Sequence, residues 1–121
     1  SPTRTIAGLK AFNQKVFVIA GGYDKKIPFE PMVPYVLEKV KRLYLCGDTA
    51  EKIKKCISEN KDYKETPEIV MVNNISDAVK RCHKDAKKGD IVTLSPACAS
   101  FDAFPNFVAR GNHFKEEVFK L

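Results

Sequence analysis

Short apolar runs alternate with longer stretches of helical periodicity along this chain, and no other feature constrains its fold as strongly. The apolar runs are four to six residues long and predict strands at 15–20, 43–46, 68–72 and 90–94, the first of them buried on both faces. The stretches between them predict helices at about 30–42, 49–59 and 77–88, with a first helix at about 3–13 and a last helical region after the fourth strand. Such alternation favours a mostly parallel sheet. The 121 residues are therefore predicted to form a single domain of the α/β class, doubly wound and Rossmann-like, with helices on both faces of the sheet.

Capping residues set the expected ends of two helices. Asp48 or Thr49 can cap the second of the three inner helices and Ser76 the third, because short polar side chains accept hydrogen bonds from the first N–H groups. Gly89 is expected to end the third helix in a left-handed conformation. Apolar residues at helical spacing mark the buried faces of the three helices: Met32, Val33, Val36, Leu37 and Val40; Ala50, Ile53, Cys56 and Ile57; Ala78, Val79 and Cys82.

The formal net charge is +6, and it has two interpretations. In the first, the charge comes from solvated lysines on helix faces and has no function. In the second, the charge creates an electrostatic field that attracts anionic ligands. Nucleic acid is the weaker partner, because the basic residues are spread over several helices and no strand combines aromatic and basic side chains in the RNA-binding pattern. No apolar run approaches the roughly 18 residues needed to cross a bilayer, so no membrane partner is expected.

The cysteines and histidines give no sign of a metal site. None of the four cysteines belongs to a CxxC pair, and neither histidine lies at zinc-like spacing from them. Buried thiols in a reducing cytoplasm are favoured over disulfides, so a cytoplasmic protein without metal ligands is expected. The residues concerned are Cys46, Cys56, Cys82, Cys98, His83 and His113.

Ligands of doubly wound sheets gather beyond the carboxyl ends of the strands, which directs attention to three loops. The first, GGYDKK at 21–26, offers backbone freedom, Asp24 as an acceptor for ribose hydroxyls and Lys25 as a cation for phosphate. An ordinary glycine-rich turn is the alternative. The second, GDTAEK at 47–52, opens a helix whose N–H groups favour an anion, and Lys52 lies in its first turn, where a cation opposes the helix dipole. A surface lysine without a function is the alternative there.

The third loop, LSPACASFD at 94–102, places small residues and two hydroxyl groups directly after a strand. Ser100 can donate a hydrogen bond to a ligand carboxylate. Neither Ser100 nor Cys98 is expected to be a nucleophile, because GxSxG is absent and no histidine can be assigned as the base. The phosphate-binding pattern GxxxxGK[ST] is absent as well, so the chain lacks the usual means of holding ATP alone.

The three loops resemble those of one known family. GGYDKK, GDTAEKI and LSPACASFDAFPNFVARGNHFKEEV are similar to motifs in the C-terminal domain of the Mur ligases, and closest to the members that add D-glutamate. The resemblance spans essentially the whole chain, and its last motif is the most specific. It implies a three-domain enzyme in which an N-terminal domain holds a UDP-sugar and a central domain holds ATP and Mg²⁺. Both are expected to be missing from this chain, which starts on Ser-Pro-Thr and has no P-loop.

The resemblance also implies roles for individual residues. Ser100 and the backbone at Phe101 would bind a carboxylate of D-glutamate, and Phe107 would line the same pocket. Lys52 would pair with the side-chain carboxylate of D-glutamate. The residues that would face the nucleotide across the domain cleft are Asp24, Lys25 and Arg4.

The implied reaction is an ATP-dependent ligation. ATP would phosphorylate the terminal carboxylate of UDP-N-acetylmuramoyl-L-alanine, the D-glutamate amine would attack the acyl phosphate, and phosphate would leave. No residue of this chain can be assigned as a general base, and the fragment alone is expected to be inactive and monomeric. Two alternatives remain at this point: a stand-alone basic module that binds nucleotides or nucleic acid, supported by the +6 charge, and a thiol-based domain that uses Cys98.

Overall fold

The computed structural model describes residues 6, 9–10, 12–21, 28–87 and 89–94, and within them four parallel strands form one sheet. The strands lie in the order β3-β2-β1-β4. Three helices and a short 3₁₀ helix are described around the sheet, and Ile6, Leu9 and Lys10 are helical as well. The bounds of the elements are β1 Val16–Gly21, the 3₁₀ helix Glu30–Met32, α1 Val33–Lys39, β2 Val40–Cys46, α2 Ala50–Ser58, β3 Glu68–Met71, α3 Ile75–Asp85 and β4 Val92–Leu94.

Helices cover both faces of the sheet, because β1 sends apolar side chains to both sides. Val16 and Val18 pack with the apolar faces of α1 and α2, whereas Phe17 and Ile19 pack with α3 on the opposite face. All four side chains are at most 2% exposed. The predicted fold class, a doubly wound parallel α/β sheet, is confirmed.

The first inner helix is shorter than predicted. The sequence predicts a helix to residue 42, but α1 ends at Lys39 and Val40 already begins β2. Val40 follows Val36 at helical spacing, yet its β-branched side chain is also suited to a strand, and it is fully buried in register with Val16. The register is irregular between Val16 and Phe17, so Lys41 is one extra residue in β2.

The third helix begins and ends earlier than predicted. Its N-cap is Asn74 rather than Ser76, and the Asn74 side chain accepts a hydrogen bond of 2.8 Å from the backbone N–H of Asp77. The helix ends at Asp85, so Gly89 does not end it. The φ of Gly89 is +95°, as expected for a left-handed residue, but it serves a later turn in which the Asp90 N–H bonds to the Lys87 carbonyl at 3.0 Å.

Apart from the starts of α1 and β2, which differ by three residues, the remaining boundaries differ from the predictions by one or two residues. Thr49 is the N-cap residue of α2 as predicted, but its side chain forms no capping hydrogen bond. Three cysteines lie in the described part, and each carries a thiol that is not in a disulfide. Cys82 is buried as predicted, but Cys46 and Cys56 are only half-buried. Cys98 lies outside the described residues. No helix in the described part of the chain is long and apolar enough to cross a membrane.

Candidate functional site

The carboxyl ends of three neighbouring strands define the rim at which a ligand site is expected. Gly21 is in register with Cys46 of β2, and Ile19 is in register with Leu94 of β4. The chain runs from β1 to β2 and β3 on one side and adds β4 on the other, so the strand order reverses between β1 and β4. Such a switch point is where doubly wound sheets bind their ligands. The strands that precede the three predicted loops are therefore adjacent in the sheet.

The turn after β2 delivers Lys52 to this rim. Gly47 has a φ of +87°, which favours glycine, and its carbonyl accepts a hydrogen bond of 3.2 Å from the N–H of Ala50 at the start of α2. Lys52 is the third residue of the helix and is half-buried. Its position in the first turn of α2 agrees with the sequence prediction, and a cation there opposes the helix dipole.

The Lys52 ammonium lies over an aromatic ring. Its Nζ atom is 5.2 Å from the centroid of the Phe29 ring, which is close enough for a cation–π contact. Phe29 is fully buried and immediately precedes the 3₁₀ helix. Lys52 therefore contacts the segment directly before the 3₁₀ helix, which follows the first predicted loop in the chain.

Glu30 and Cys56 line a shallow groove next to Lys52. The Cys56 thiol donates a hydrogen bond of 3.5 Å to Oε1 of Glu30. The pKa of Glu30 is lowered by its own backbone N–H, by the Cys56 thiol and by the charge of Lys52, so the carboxylate is ionised. Burial and the bond to Glu30 raise the pKa of Cys56. The groove thus presents an ionised carboxylate and a protonated thiol, and its lining is Glu30, Lys52, Lys55, Cys56, Glu59 and Asn60.

Of the residues predicted for the site, only Lys52 lies within the described part of the chain. The others fall outside it: Arg4, Asp24, Lys25, Ser100, Phe101 and Phe107. Within residues 6–94 as far as they are described, no group of three His, Cys, Asp or Glu side chains is placed to hold a metal ion. The structure adds Phe29 and Glu30 as neighbours of Lys52, which the sequence analysis missed because no local pattern links residues so far apart in the chain.

Comparison with known proteins matches residues 1–98 to the Mur ligase, glutamate ligase domain. The whole chain is 55% identical to UDP-N-acetylmuramoylalanine--D-glutamate ligase of Clostridium botulinum (strain Kyoto / Type A2), of which it covers 27%. It is 53% identical, again over its whole length and 27% of the relative, to the ligase of the same name from Clostridium beijerinckii (strain ATCC 51743 / NCIMB 8052). These matches give no support to a stand-alone nucleotide- or nucleic-acid-binding module.

Proposed function

The chain belongs to the Mur ligase family, in its glutamate ligase domain, and on that premise we propose that it binds D-glutamate for an ATP-dependent amide ligase. The product would be UDP-N-acetylmuramoyl-L-alanyl-D-glutamate, a precursor of the bacterial cell wall. The chain spans 27% of the length of the ligases it matches, so the UDP-sugar and MgATP are assigned to other domains of a cytoplasmic enzyme.

The observation that carries this proposal is the position of Lys52. Lys52 lies in the first turn of α2, the helix that follows β2 at the carboxyl rim of the parallel sheet, and its ammonium lies over the buried Phe29 ring. D-glutamate brings two carboxylates, which require cations and N–H donors. The site therefore offers the kind of group that one of these carboxylates needs.

The remaining contacts are assigned to the two loops that follow β1 and β4. Ser100 and the backbone at Phe101 are proposed to bind the second carboxylate of D-glutamate, and Phe107 to line the pocket. Because β1 and β4 are neighbours in the sheet, both loops start near the same point of the rim. The residues proposed to face the nucleotide are Asp24, Lys25 and Arg4.

The domain is proposed to act by orienting the nucleophile. ATP phosphorylates the terminal carboxylate of the UDP-linked substrate, the amine of D-glutamate attacks this acyl phosphate, and phosphate leaves from a tetrahedral intermediate. Holding the D-glutamate carboxylates fixes the amine relative to the acyl carbon, and this removes much of the entropic cost of bringing two reactants together. The domain works only when it closes over the others, so the isolated 121-residue chain should neither hydrolyse ATP nor form the amide.

Steady-state kinetics of the full-length ligase test the proposal. Lys52→Met removes the ammonium and keeps the length of the side chain, so the KM for D-glutamate should rise about tenfold or more, whereas the KM for ATP should stay within about twofold. Ser100→Ala should show the same selectivity. Lys54→Met is the matched control, because Lys54 is an exposed lysine on the same helix.

Two results would contradict the proposal. If Lys52→Met leaves the KM for D-glutamate unchanged, or changes it no more than Lys54→Met does, then Lys52 does not bind the amino acid. Robust ligation by the purified chain alone would show that it is not one part of a multidomain enzyme.

A further inference from the structure

Four cationic side chains lie on the outer side of α3 and directly after it. The apolar residues of this helix form its buried face and pack against the sheet: Ile75, Ala78, Val79 and Cys82. With about 3.6 residues per turn, the cations of the helix lie on the side opposite this face. All four cationic residues are exposed, and they form the α3 basic surface: Lys80, Arg81, Lys84 and Lys87.

The carboxylates nearest to these cations in the helix bind other groups. Asp77 and Asp85 lie four residues before and four residues after Arg81, a spacing at which ion pairs form on a helix. The Asp77 carboxylate instead accepts a hydrogen bond of 3.0 Å from the N–H of Asn73. The Asp85 carboxylate lies 3.6 Å from Arg42 on β2. Within the described residues, no cation of the α3 basic surface forms an ion pair.

Beyond the helix, Asp90 is also engaged. Its carboxylate pairs with Lys41 at 3.5 Å and accepts a hydrogen bond of 2.7 Å from the backbone N–H of Lys87. Lys87 therefore has a carboxylate nearby, whereas the three cations of the helix itself do not. The positive charge of the outer side of α3 is left without compensation from the described part of the chain.

The helix dipole explains only part of this arrangement. It favours a cation in the last turn, where Lys84 lies, but the effect falls off within that turn. Lys80 and Arg81 lie four and three residues before Lys84, so these like charges repel one another across neighbouring turns. An anion outside the domain would relieve this repulsion, so the α3 basic surface favours an anionic partner.

The composition of the α3 basic surface favours a membrane as this partner. Protein interfaces are enriched in aromatic residues and depleted in lysine, whereas three of these four residues are lysines and α3 contains no Phe, Tyr or Trp. The same lack of aromatic side chains leaves nothing to stack on nucleic-acid bases. A cluster of about four to eight Lys and Arg residues on a helix is typical of surfaces that bind anionic lipid headgroups.

We propose that the α3 basic surface attaches the ligase to the anionic phospholipid surface of a membrane. The apolar residues of α3 are all packed against the sheet, so the helix does not insert and the attachment is electrostatic. Such attachment needs no membrane-spanning helix, and none is found in the described part of the chain. The lack of a long apolar run, from which no membrane partner was expected, excludes only the crossing of a bilayer.

The test measures the binding of the full-length ligase to phospholipid vesicles by sedimentation. Vesicles of phosphatidylcholine with about one third phosphatidylglycerol are compared with pure phosphatidylcholine, at about 50 mM and about 500 mM NaCl. The ligase should bind to the anionic vesicles alone, and only at low salt, because salt screens the attraction between exposed cations and the headgroups.

A triple variant locates the contact by replacing the three cations of the helix with glutamine: Lys80→Gln, Arg81→Gln and Lys84→Gln. Its partition coefficient onto the anionic vesicles should fall about tenfold or more. The matched control removes the same charge from exposed lysines in and after α2, which packs on the other face of the sheet: Lys54→Gln, Lys61→Gln and Lys64→Gln. Its partition coefficient should change by about twofold at most.

Three results would overturn the proposal. The first is a lack of binding to the anionic vesicles at low salt. The second is an equal loss of binding in the two triple variants, which would mean that only the net charge matters. The third is binding of duplex DNA or poly-L-glutamate through the same three residues without any binding of vesicles, which would assign the α3 basic surface to a different anion.

Kinetics in solution separate this inference from the proposed function. Both triple variants should keep the KM for D-glutamate of the unchanged ligase, which also shows that they are folded. If Lys52→Met leaves that KM unchanged while the vesicle experiment gives the expected result, the proposed role of Lys52 fails and the membrane surface stands. If the KM rises in Lys52→Met but the α3 variant still binds the vesicles fully, the membrane surface fails and the proposed function stands.

Discussion

The hydroxyl of Tyr44 donates a hydrogen bond of 2.7 Å to Oδ2 of Asp85, which joins the middle of β2 to the last residue of α3. The same carboxylate oxygen lies 3.6 Å from Arg42, and Arg42 lies 2.9 Å from Glu68 on the neighbouring strand. The Tyr44 side chain is fully buried, and burial together with the bond to Asp85 raises its pKa far above the usual value. The phenol therefore remains a hydrogen-bond donor throughout the neutral pH range.

Tyr44→Phe should lower the free energy of unfolding of the chain by about 2 kcal/mol, because a carboxylate loses a donor in a half-buried place. Urea denaturation followed by circular dichroism measures the change. Tyr63→Phe is the comparison, since the Tyr63 hydroxyl donates to a neutral acceptor, the Pro67 carbonyl, at 3.0 Å. Its cost should be smaller, about 1 kcal/mol. Equal losses of unfolding free energy in the two variants would show that the charge of the Asp85 acceptor does not strengthen the hydrogen bond.

The N-cap of α3 gives a second stability prediction. Asn74 accepts a hydrogen bond from the N–H of Asp77, and the Asp77 carboxylate accepts one of 3.0 Å from the N–H of Asn73. Asn74→Ala should therefore destabilise the chain by about 1 kcal/mol. Asn74→Asp keeps an acceptor and adds a charge that favours a helix N-terminus, so it should be close to neutral. Equal loss in both variants, measured by urea denaturation, would show that the cap does not act through its side-chain acceptor.

The fold class could be predicted because the signals for it are local. The side chains of the apolar run of β1 pack with the helices on both faces of the sheet, and no helical periodicity competes with it. The ends of elements were less predictable where one residue suited two structures. Val40 fits a helix by spacing and a strand by shape, and only its burial opposite Val16 decides between them. Likewise the sequence predicts Ser76 as the cap of α3, whereas Asn74 accepts the capping hydrogen bond from the N–H of Asp77.

The site could be predicted as far as it follows from topology. Lys52 lies in the first turn of a helix that follows a buried strand, so its place near the carboxyl ends of the strands follows from the strand–turn–helix order. Its contact with Phe29 and its nearness to Glu30 depend on where the residues directly before α1 pack. That position depends on tertiary contacts, which leave no periodic pattern in the sequence.

The thiol of Cys82 should make stability fall at alkaline pH. Burial, with a smaller contribution from Asp85, raises its pKa to about 12, whereas a thiol in the unfolded chain titrates near 9.0. Between these values the unfolded chain loses the proton and the folded chain keeps it, so the free energy of unfolding falls as pH rises, by at most about 1.4 kcal/mol per pH unit. The contribution is complete below pH 9 and is lost as the pH approaches 12.

Urea denaturation between pH 8 and pH 10 measures this effect. Above pH 10 the deprotonation of Tyr44 in the unfolded chain, where its usual pKa is 10.0, would also lower the free energy of unfolding. Cys82→Ala removes the thiol, so its free energy of unfolding should fall less steeply over this interval than that of the unchanged chain. Parallel curves for the two proteins would mean that Cys82 titrates normally in the folded state.

The electrostatics of the groove at Lys52 can be measured through Cys56, which acts as a reporter of its two charged neighbours. The carboxylate of Glu30 raises the pKa of the Cys56 thiol, and the ammonium of Lys52 lowers it. Glu30→Gln should therefore increase the rate of alkylation of Cys56 by iodoacetamide at pH 8, roughly two- to threefold, because more thiolate is present. Lys52→Met should decrease the rate for the opposite reason, while the exposed Lys54→Met should leave it unchanged. Mass spectrometry of the labelled peptide gives the rate at this one residue, and a change of the same sign in Glu30→Gln and Lys52→Met would contradict the opposite effects of these two charges on the thiol.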